Sequence, residues 1–297
     1  MVSQKSIRDI LEMKNNDYTR LEPFTNASPI PSSIIVPVYN NRGILRKTLK
    51  NISTHPAIEK NPGAFEIIIV NDGSTEDISS VVGEMSFSCK LRYLHYEQNH
   101  GRSHARNVGI RNSTKDLLFF LDADVLLPEN YFDAIWKIHN SSKNILVVGL
   151  AQNVPNHEIT NTQATEIFPN IADDFRYHKT FPKGKFDTSE YWLVQETDWF
   201  KGFGYGTSIG PWTLPKMAVA HNLSTRRDNA QRVTGFDHRF VGWGYEDAHF
   251  GAKLIAIGCY LIPSKETGVI RILDGKKPKF DDRNLNLYEK LIKTESI

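Results

Sequence analysis

The chain has 297 residues, of which 40% are hydrophobic and 24% charged, with a formal net charge of +2. This is the composition of a soluble globular protein, long enough to bury most of its apolar surface without staples. The near balance of charge gives no broad field for nucleic acid, and two cysteines, Cys89 and Cys259, cannot build a disulfide framework.

In chain order, Ile7, Ile10 and Leu11 share one face of an expected short helix over 6–14. Three prolines between Glu22 and Ser33 read as a linker. From there to about 150 the pattern alternates. Strands are expected at 33–38, 65–70, 91–95, 116–121 and 145–150, and helices at 43–53, 76–84, 102–111 and 128–139. The strand runs are continuously apolar rather than alternating, as expected when helices cover both faces of a sheet. That order predicts an α/β fold with a mostly parallel central sheet and right-handed crossovers. Residues 151–234 carry weak periodicity. A helix is expected from 245, with Phe250, Leu254 and Ile257 on one stripe and Gly258 as its stop. A short strand follows at 259–263, then a charged tail from Asp274 with a terminal helix at 284–293. The expected division is a helix and linker (1–31), a ligand-binding half (32–150), a second half of the same domain (151–273) and the tail (274–297).

Three apolar runs end in polar groups: SIIVPVYN (33–40), FEIIIVNDGS (65–74) and DLLFFLDADV (116–125). In open α/β sheets ligands bind at that edge. Asp122 and Asp124 flank Ala123, and carboxylates at i and i+2 leave an extended strand on the same side. Such a pair suits Mg²⁺ or Mn²⁺ shared with substrate phosphates, and is favoured over a simple helix-capping turn because it follows a six-residue apolar strand. Asp72 can accept the ring N–H of a uracil or thymine base, or cap a helix; the two are compatible. Pro37, Tyr39 and Asn40 either pack on that base or mark a plain strand-to-loop transition, and the motif alone does not separate these.

The stretch from Gln98 to Asn107 opens a helix, and helix N-termini with arginines bind anions. Arg102 and Arg106 are candidates for that role, with Arg106 alternatively paired to a carboxylate such as Asp72. In GFDHRFVGWGYEDAHF (235–250), Trp243, Gly244 and Tyr245 offer flat faces and free backbone to a sugar ring. The following Glu246 and Asp247 open a helix whose dipole stabilises anions, and Asp247 is suited to be a general base. His221 and His249 are candidate third metal ligands, though a lone histidine is more often structural. Gly202–Gly206 reads as a loop that can act as a lid.

Taken in order, SIIVPVYN, VNDGS, NHGRSHARNVG and LDADV resemble the donor-site motifs of family-2 glycosyltransferases with the GT-A fold. Residues 221–254 resemble the galactosyltransferase-like C-terminal segment of chondroitin-polymerase and β-1,4-galactosyltransferase types. The resemblance covers roughly 32 to 263. It implies that Asp72 contacts the base, Asp122 lies near the ribose and metal, and Asp124 holds Mn²⁺ or Mg²⁺ and through it the diphosphate. It also implies that Trp243, Gly244 and Glu246 shape the sugar and acceptor site, with Asp247 as catalytic base. Relatives often carry a metal-binding histidine shortly after the strand ending here at Pro263. This chain has Arg271 in that region, so His249 or water fills the place, or Arg271 meets the diphosphate directly.

The expected function is metal-dependent, inverting transfer of a hexose or N-acetylhexosamine from a UDP-sugar to a saccharide, lipid-linked or peptide acceptor. The rival is a non-catalytic nucleotide- or carbohydrate-binding module on a decayed GT-A scaffold, against which the intact Asp122, Asp124, Glu246 and Asp247 argue. A nucleotidyltransferase would need a Gly-rich basic loop after the first strand, which Val38-Tyr39-Asn40-Asn41 does not supply. No 18-residue apolar run exists, the charged N-terminus lacks an apolar core of a signal peptide, and five Asn-x-Ser/Thr sequons are read as chance. The expectation is a cytoplasmic protein able to rest on the inner face of a membrane, with no nucleic-acid partner.

Overall fold

The computed structural model describes residues 5–13 (side chains to 10), 24–174, 215–275 and 282–297. The expected lid at Gly202–Gly206 and most of 151–215 lie outside these. The described residues form an eight-stranded sheet in the order β3-β2-β1-β4-β7-β6-β8-β5. Its strands are β1 (Ser32–Val38), β2 (Phe65–Asp72), β3 (Lys90–Tyr96), β4 (Leu117–Leu121), β5 (Val125–Leu126), β6 (Ile145–Pro155), β7 (Asn222–Arg226) and β8 (Tyr260–Leu273). The helices are α1 (Ile7–Met13), α2 (Arg42–Ser53), α3 (Pro56–Lys60), α4 (Ile78–Gly83), α5 (Arg102–Asn112), α6 (Tyr131–Ser141), α7 (Arg227–Arg232), α8 (Glu246–Ala256) and α9 (Asp282–Thr294). This is a mixed α/β architecture, and no described helix is long and apolar enough to cross a membrane.

The first four strands pair in parallel, β1 between β2 and β4 with β3 outside β2. The apolar runs of β1, β2 and β4 are buried on both faces because helices lie on each side, whereas the edge strand β3 is only half-buried. The second part departs from the parallel expectation. Strand β7 runs antiparallel to both β4 and β6. Its sequence, NLSTR, is polar yet almost wholly buried. Each polar side chain is met inside: Tyr131 Oη donates to Asn222 Oδ1 at 2.7 Å, His139 Nε2 lies 2.9 Å from Ser224 Oγ, and Thr225 donates to the Ile145 carbonyl at 3.0 Å. The expected five-residue strand at 259–263 extends to Leu273, with a register shift opposite Gly149 and Ala151. Its distal part also pairs with β5, antiparallel.

Alternation along β4 fixes the two cores. Phe119 points to α6, against Tyr131 and Phe132 at 6.0 and 5.1 Å between centroids. Phe120 points the other way, onto Phe236 and Phe250. The latter two stack at 4.1 Å and tie the segment after α7 to α8. Burying each ring contributes about 1.5–3 kcal/mol. The carboxyl ends of β1, β2 and β4 therefore meet at one rim, with Asp72 and Asp122 at the strand ends.

Candidate active site

At that rim the loops after β1 and β2 are stitched together. Asn40 stands in the left-handed region, φ 59°. Its backbone N–H donates to Ser74 Oγ at 2.7 Å, and its side-chain oxygen accepts from the backbone of Thr75 and Glu76. Glu76 in turn accepts from the N–H groups of Asn41 and Arg42, holding the start of α2. The Asp72 carboxylate, nearly buried, accepts from the backbone N–H of His100 and, at 2.7 Å, of Gly101. Gly73 (φ +75°) permits this, since an added Cβ would lie 2.4 Å from the Gln98 carbonyl carbon. The loop that opens α5 thus closes over Asp72.

A cleft of about 770 Å³ opens above these loops, within the range of ligand sites. Pro37, Tyr39, Asn40, Asp72, Arg102, Asp122, Ala123, Asp124 and Trp243 all line it, so the predicted donor residues and the aromatic of the Gly-Trp-Gly turn share one cavity. Tyr39 is 53% exposed there. Arg271 and Asp274 line the same cleft.

Beneath the cleft, Arg106 joins the two acidic motifs. Its guanidinium donates to Asp122 Oδ1 at 2.9 Å and to Glu246 Oε1 at 3.0 Å. The side chain is buried, with its Cζ 5.3 Å from the Phe236 ring centre. This corrects two expectations. Arg106 pairs with Asp122 and Glu246 rather than Asp72, and does not line the cleft. Glu246 is buried in the same pair rather than presented to a ligand. The bridge spans 140 residues in sequence, so no local pattern could reveal it. Burial works against ionisation of Asp122, but the cations of Arg106, Arg102 and Arg271 win and hold its carboxyl well below the usual range.

Asp124 has the opposite balance. Burial, with Asp122 beside it, pushes it up to about 6 despite Arg271, whose Nε donates to Oδ2 at 3.2 Å. Its other oxygen, Oδ1, is buried and accepts no hydrogen bond from the described residues. A buried carboxylate oxygen left without a donor is costly, and hard oxygen donors suit Mg²⁺ or Mn²⁺. The residues at this rim therefore fit such an ion.

His249 does not join them. It is fully buried, its Nε2 lies 2.9 Å from Glu295 Oε2, and it groups with Asp237 rather than the 122–124 pair. Arg239 is ion-paired to both Asp237 and Glu295 in that cluster. His221 is also buried, and its backbone carbonyl accepts from the Asp122 N–H. Asp247 is half-buried at the start of α8 and outside the residues lining the cleft. Burial and the adjacent Glu246 push its carboxyl up to about 7, against the pull of Arg106 and the N–H groups of Ala248 and Ala220. Gly244 and Tyr245 are not among the residues lining the cleft, and the Tyr245 ring lies 5.5 Å from that of Tyr288.

The family model described as "Glycosyl transferase family 2" matches residues 33–199, and that described as "N-terminal domain of galactosyltransferase" matches 218–273. The chain is similar to validoxylamine A glucosyltransferase of Streptomyces hygroscopicus subsp. limoneus, 29% identical over 255 residues, covering 79% of this chain and 50% of that protein. It is 23% identical over 249 residues to chondroitin synthase of Pasteurella multocida, covering 82% of this chain and 24% of that one. The chain thus spans about half the length, or less, of these curated relatives. Among solved structures, S. aureus TarS 1-349 in complex with UDP-GlcNAc superposes with a TM-score of 0.62 at 15% identity, over 89% of this chain and 65% of that one. The mannosyltransferase PcManGT of Pyrobaculum calidifontis, in complex with GDP-Man and Mn2+, gives 0.61 at 17% identity, over 92% and 64%. At such identities the likeness concerns the fold, which these GT-A neighbours share.

Proposed function

Because the chain belongs to glycosyl transferase family 2, we propose that it transfers a hexose or N-acetylhexosamine from a UDP-sugar to a saccharide, lipid-linked or peptide acceptor, with inversion and with a divalent cation. The observation that carries this is the Arg106 bridge, which joins Asp122 of the Asp122–Asp124 loop to Glu246, the chain neighbour of Asp247. In this reading Tyr39 stacks on the base, and Asp72 uses its remaining lone pairs to accept the base N–H. Arg102 at the head of α5 and Arg271 face the diphosphate. Asp122 and Asp124 would hold Mn²⁺ or Mg²⁺, which when bound supplies Lewis-acid neutralisation of charge on the departing diphosphate.

The acceptor hydroxyl attacks the anomeric carbon from the face opposite the diphosphate. A new carbon–oxygen bond forms as the bond to the β-phosphate oxygen breaks, and the hydroxyl proton passes to Asp247. A carboxyl near 7 is suited to this, since a general base works best with a pKa close to the operating pH. Arg106 holds Glu246 in place by its ion pair, and both charges act on Asp247. The leaving group needs no proton, so one base suffices.

The test is UDP release from UDP-glucose, UDP-galactose, UDP-GlcNAc and UDP-GalNAc with Mn²⁺, beside calorimetry of UDP binding. Expected are turnover of at least one donor and UDP binding that EDTA abolishes. A chain that binds no UDP with Mn²⁺ and releases none from any donor is not this enzyme. Two buried free cysteines accord with a reducing compartment, so a cytoplasmic location, with contact to the inner membrane face, forms part of the proposal. Recovery from an oxidising compartment on cell fractionation would overturn that part.

A further inference from the structure

Helix α9 lies beyond both family-model matches, which end at residues 199 and 273, yet it reaches the rim. Asn284, in its first turn and nearly buried, donates from Nδ2 to the carbonyl of Val241 at 3.1 Å and to that of Trp243 at 3.3 Å. These carbonyls belong to the turn whose Val241, Gly242 and Trp243 line the cleft beside Asp124 and Arg271. One turn later the Tyr288 ring rests on Tyr245. At its end Glu295 pairs with Arg239 and His249, on either side of the turn in sequence.

The turn cannot hold its own shape. Gly242, Gly244 and Tyr245 stand at φ of +85°, +101° and +71°. Glycine tolerates such angles, but it also gives the chain the freedom to leave them. Tyr245 has no such tolerance, and a non-glycine residue there costs about 1–3 kcal/mol unless its surroundings over-determine it. Against its ring lie Tyr288 of α9, at 5.5 Å between centroids, and the Lys216 ammonium, 5.7 Å from the ring centre. We propose that Asn284 is a positioning residue for the sugar-transfer site, fixing the Val241–Tyr245 turn by hydrogen bonds from the C-terminal helix. The inference rests on the glycosyltransferase reading for its kinetic consequence, but its structural part stands without it.

Asn284→Asp and Asn284→Leu are the informative variants. Both keep the side chain's size and remove its donor, and Asp in a first helical turn favours the helix. Hydrogen exchange over 241–245 is expected to be at least tenfold faster in both, with exchange over 117–121 unchanged and Tm within about two degrees. UDP release from the best wild-type donor is expected to fall at least tenfold, with the Kd for UDP with Mn²⁺ within twofold. Unchanged exchange over 241–245 overturns the inference. So does a slowed Asp variant beside a normal Leu variant, which would indict the added charge rather than the lost donor. Parallel loss of Tm, UDP binding and turnover would make Asn284 a general packing residue and also overturn it. If wild-type protein neither binds nor hydrolyses these donors, the functional reading falls, while the exchange data still decide the role of Asn284.

Discussion

At the scale of single residues, the site is governed by two carboxyls that burial keeps from ionising freely. For Asp247, raised to about 7, the base form prevails only above neutrality. The kcat/KM profile is therefore expected to rise through about pH 7 and level off above it, and Asp247→Asn should lower kcat by about 10²–10⁴ with the UDP Kd unchanged. Near-wild-type turnover in that variant would remove Asp247 as base. For Asp124, the folded-state value of about 6 lies above that of an unfolded aspartate. Below pH 4 the group is neutral in both states. As pH rises from 4 to 6 the unfolded chain loses its proton first, so the fold loses stability, and the cost stays in full above 6. In EDTA, Asp124→Asn should thus be more stable than wild type at pH 8, by at most about 3 kcal/mol, and no more stable at pH 4. Thermal melts at the two pH values check this. Sequence made both residues visible, because each sits at the end of a clear element. It could not find their partners. For Arg106 the sequence leaves open an anion-binding role or a pair with a carboxylate such as Asp72, and the fold pairs it with Asp122 and Glu246. His249 lies two residues past Asp247, and the helical turn swings it to Glu295 instead.

At the scale of elements, α5 decides how the site is assembled, because it carries Arg102 and Arg106 and closes over Asp72. It lies close on β1 only because residue 109 lacks a side chain: a Cβ there would stand 2.3 Å from Ile35 Cγ2. Gly109→Ala must push the helix outward or bend Ile35 off its rotamer, costing about 1–3 kcal/mol. Turnover should fall with it, since the guanidinium of Arg106 would leave its two carboxylates. Gly83→Ala, at the end of α4 with nothing within 4 Å, should be neutral or slightly stabilising, by about 0.5–1 kcal/mol. Equal loss in both variants, read by denaturant melts, would mean that the contact with Ile35 yields freely. The elements legible from sequence are β1, β2, β4, α2 and α6, whose burial is mainly apolar, together with the half-buried β3 and with α5. Strand β7 escapes that pattern because its buried side chains include Asn222, Ser224 and Thr225, satisfied by residues far away in the chain. A hydropathy pattern cannot register a strand stabilised in that way.

For the whole molecule, the question is whether the two parts that family models match separately are separate bodies. The order of the sheet argues against it. Strand β7, from the second part, lies between β4 and β6 of the first, and β8 continues on the far side of β6. Phe236 and Phe250 from the second part cover Phe120 from the first. Removing either part would expose two sheet edges and one aromatic core, an unstable condition for any strand pair. The buried bridge from Arg106 to Glu246 adds to this, since breaking one partner of a buried ion pair costs about 3–5 kcal/mol. We therefore expect one cooperative unfolding transition, with calorimetric and van't Hoff enthalpies that agree. Fluorescence and far-UV circular dichroism should give the same midpoint. Fragments 1–174 and 215–297, expressed separately, should each be insoluble. Two resolved transitions, or a soluble folded fragment, would show that the halves are independent domains and that the rim between them is a contact rather than a continuous sheet.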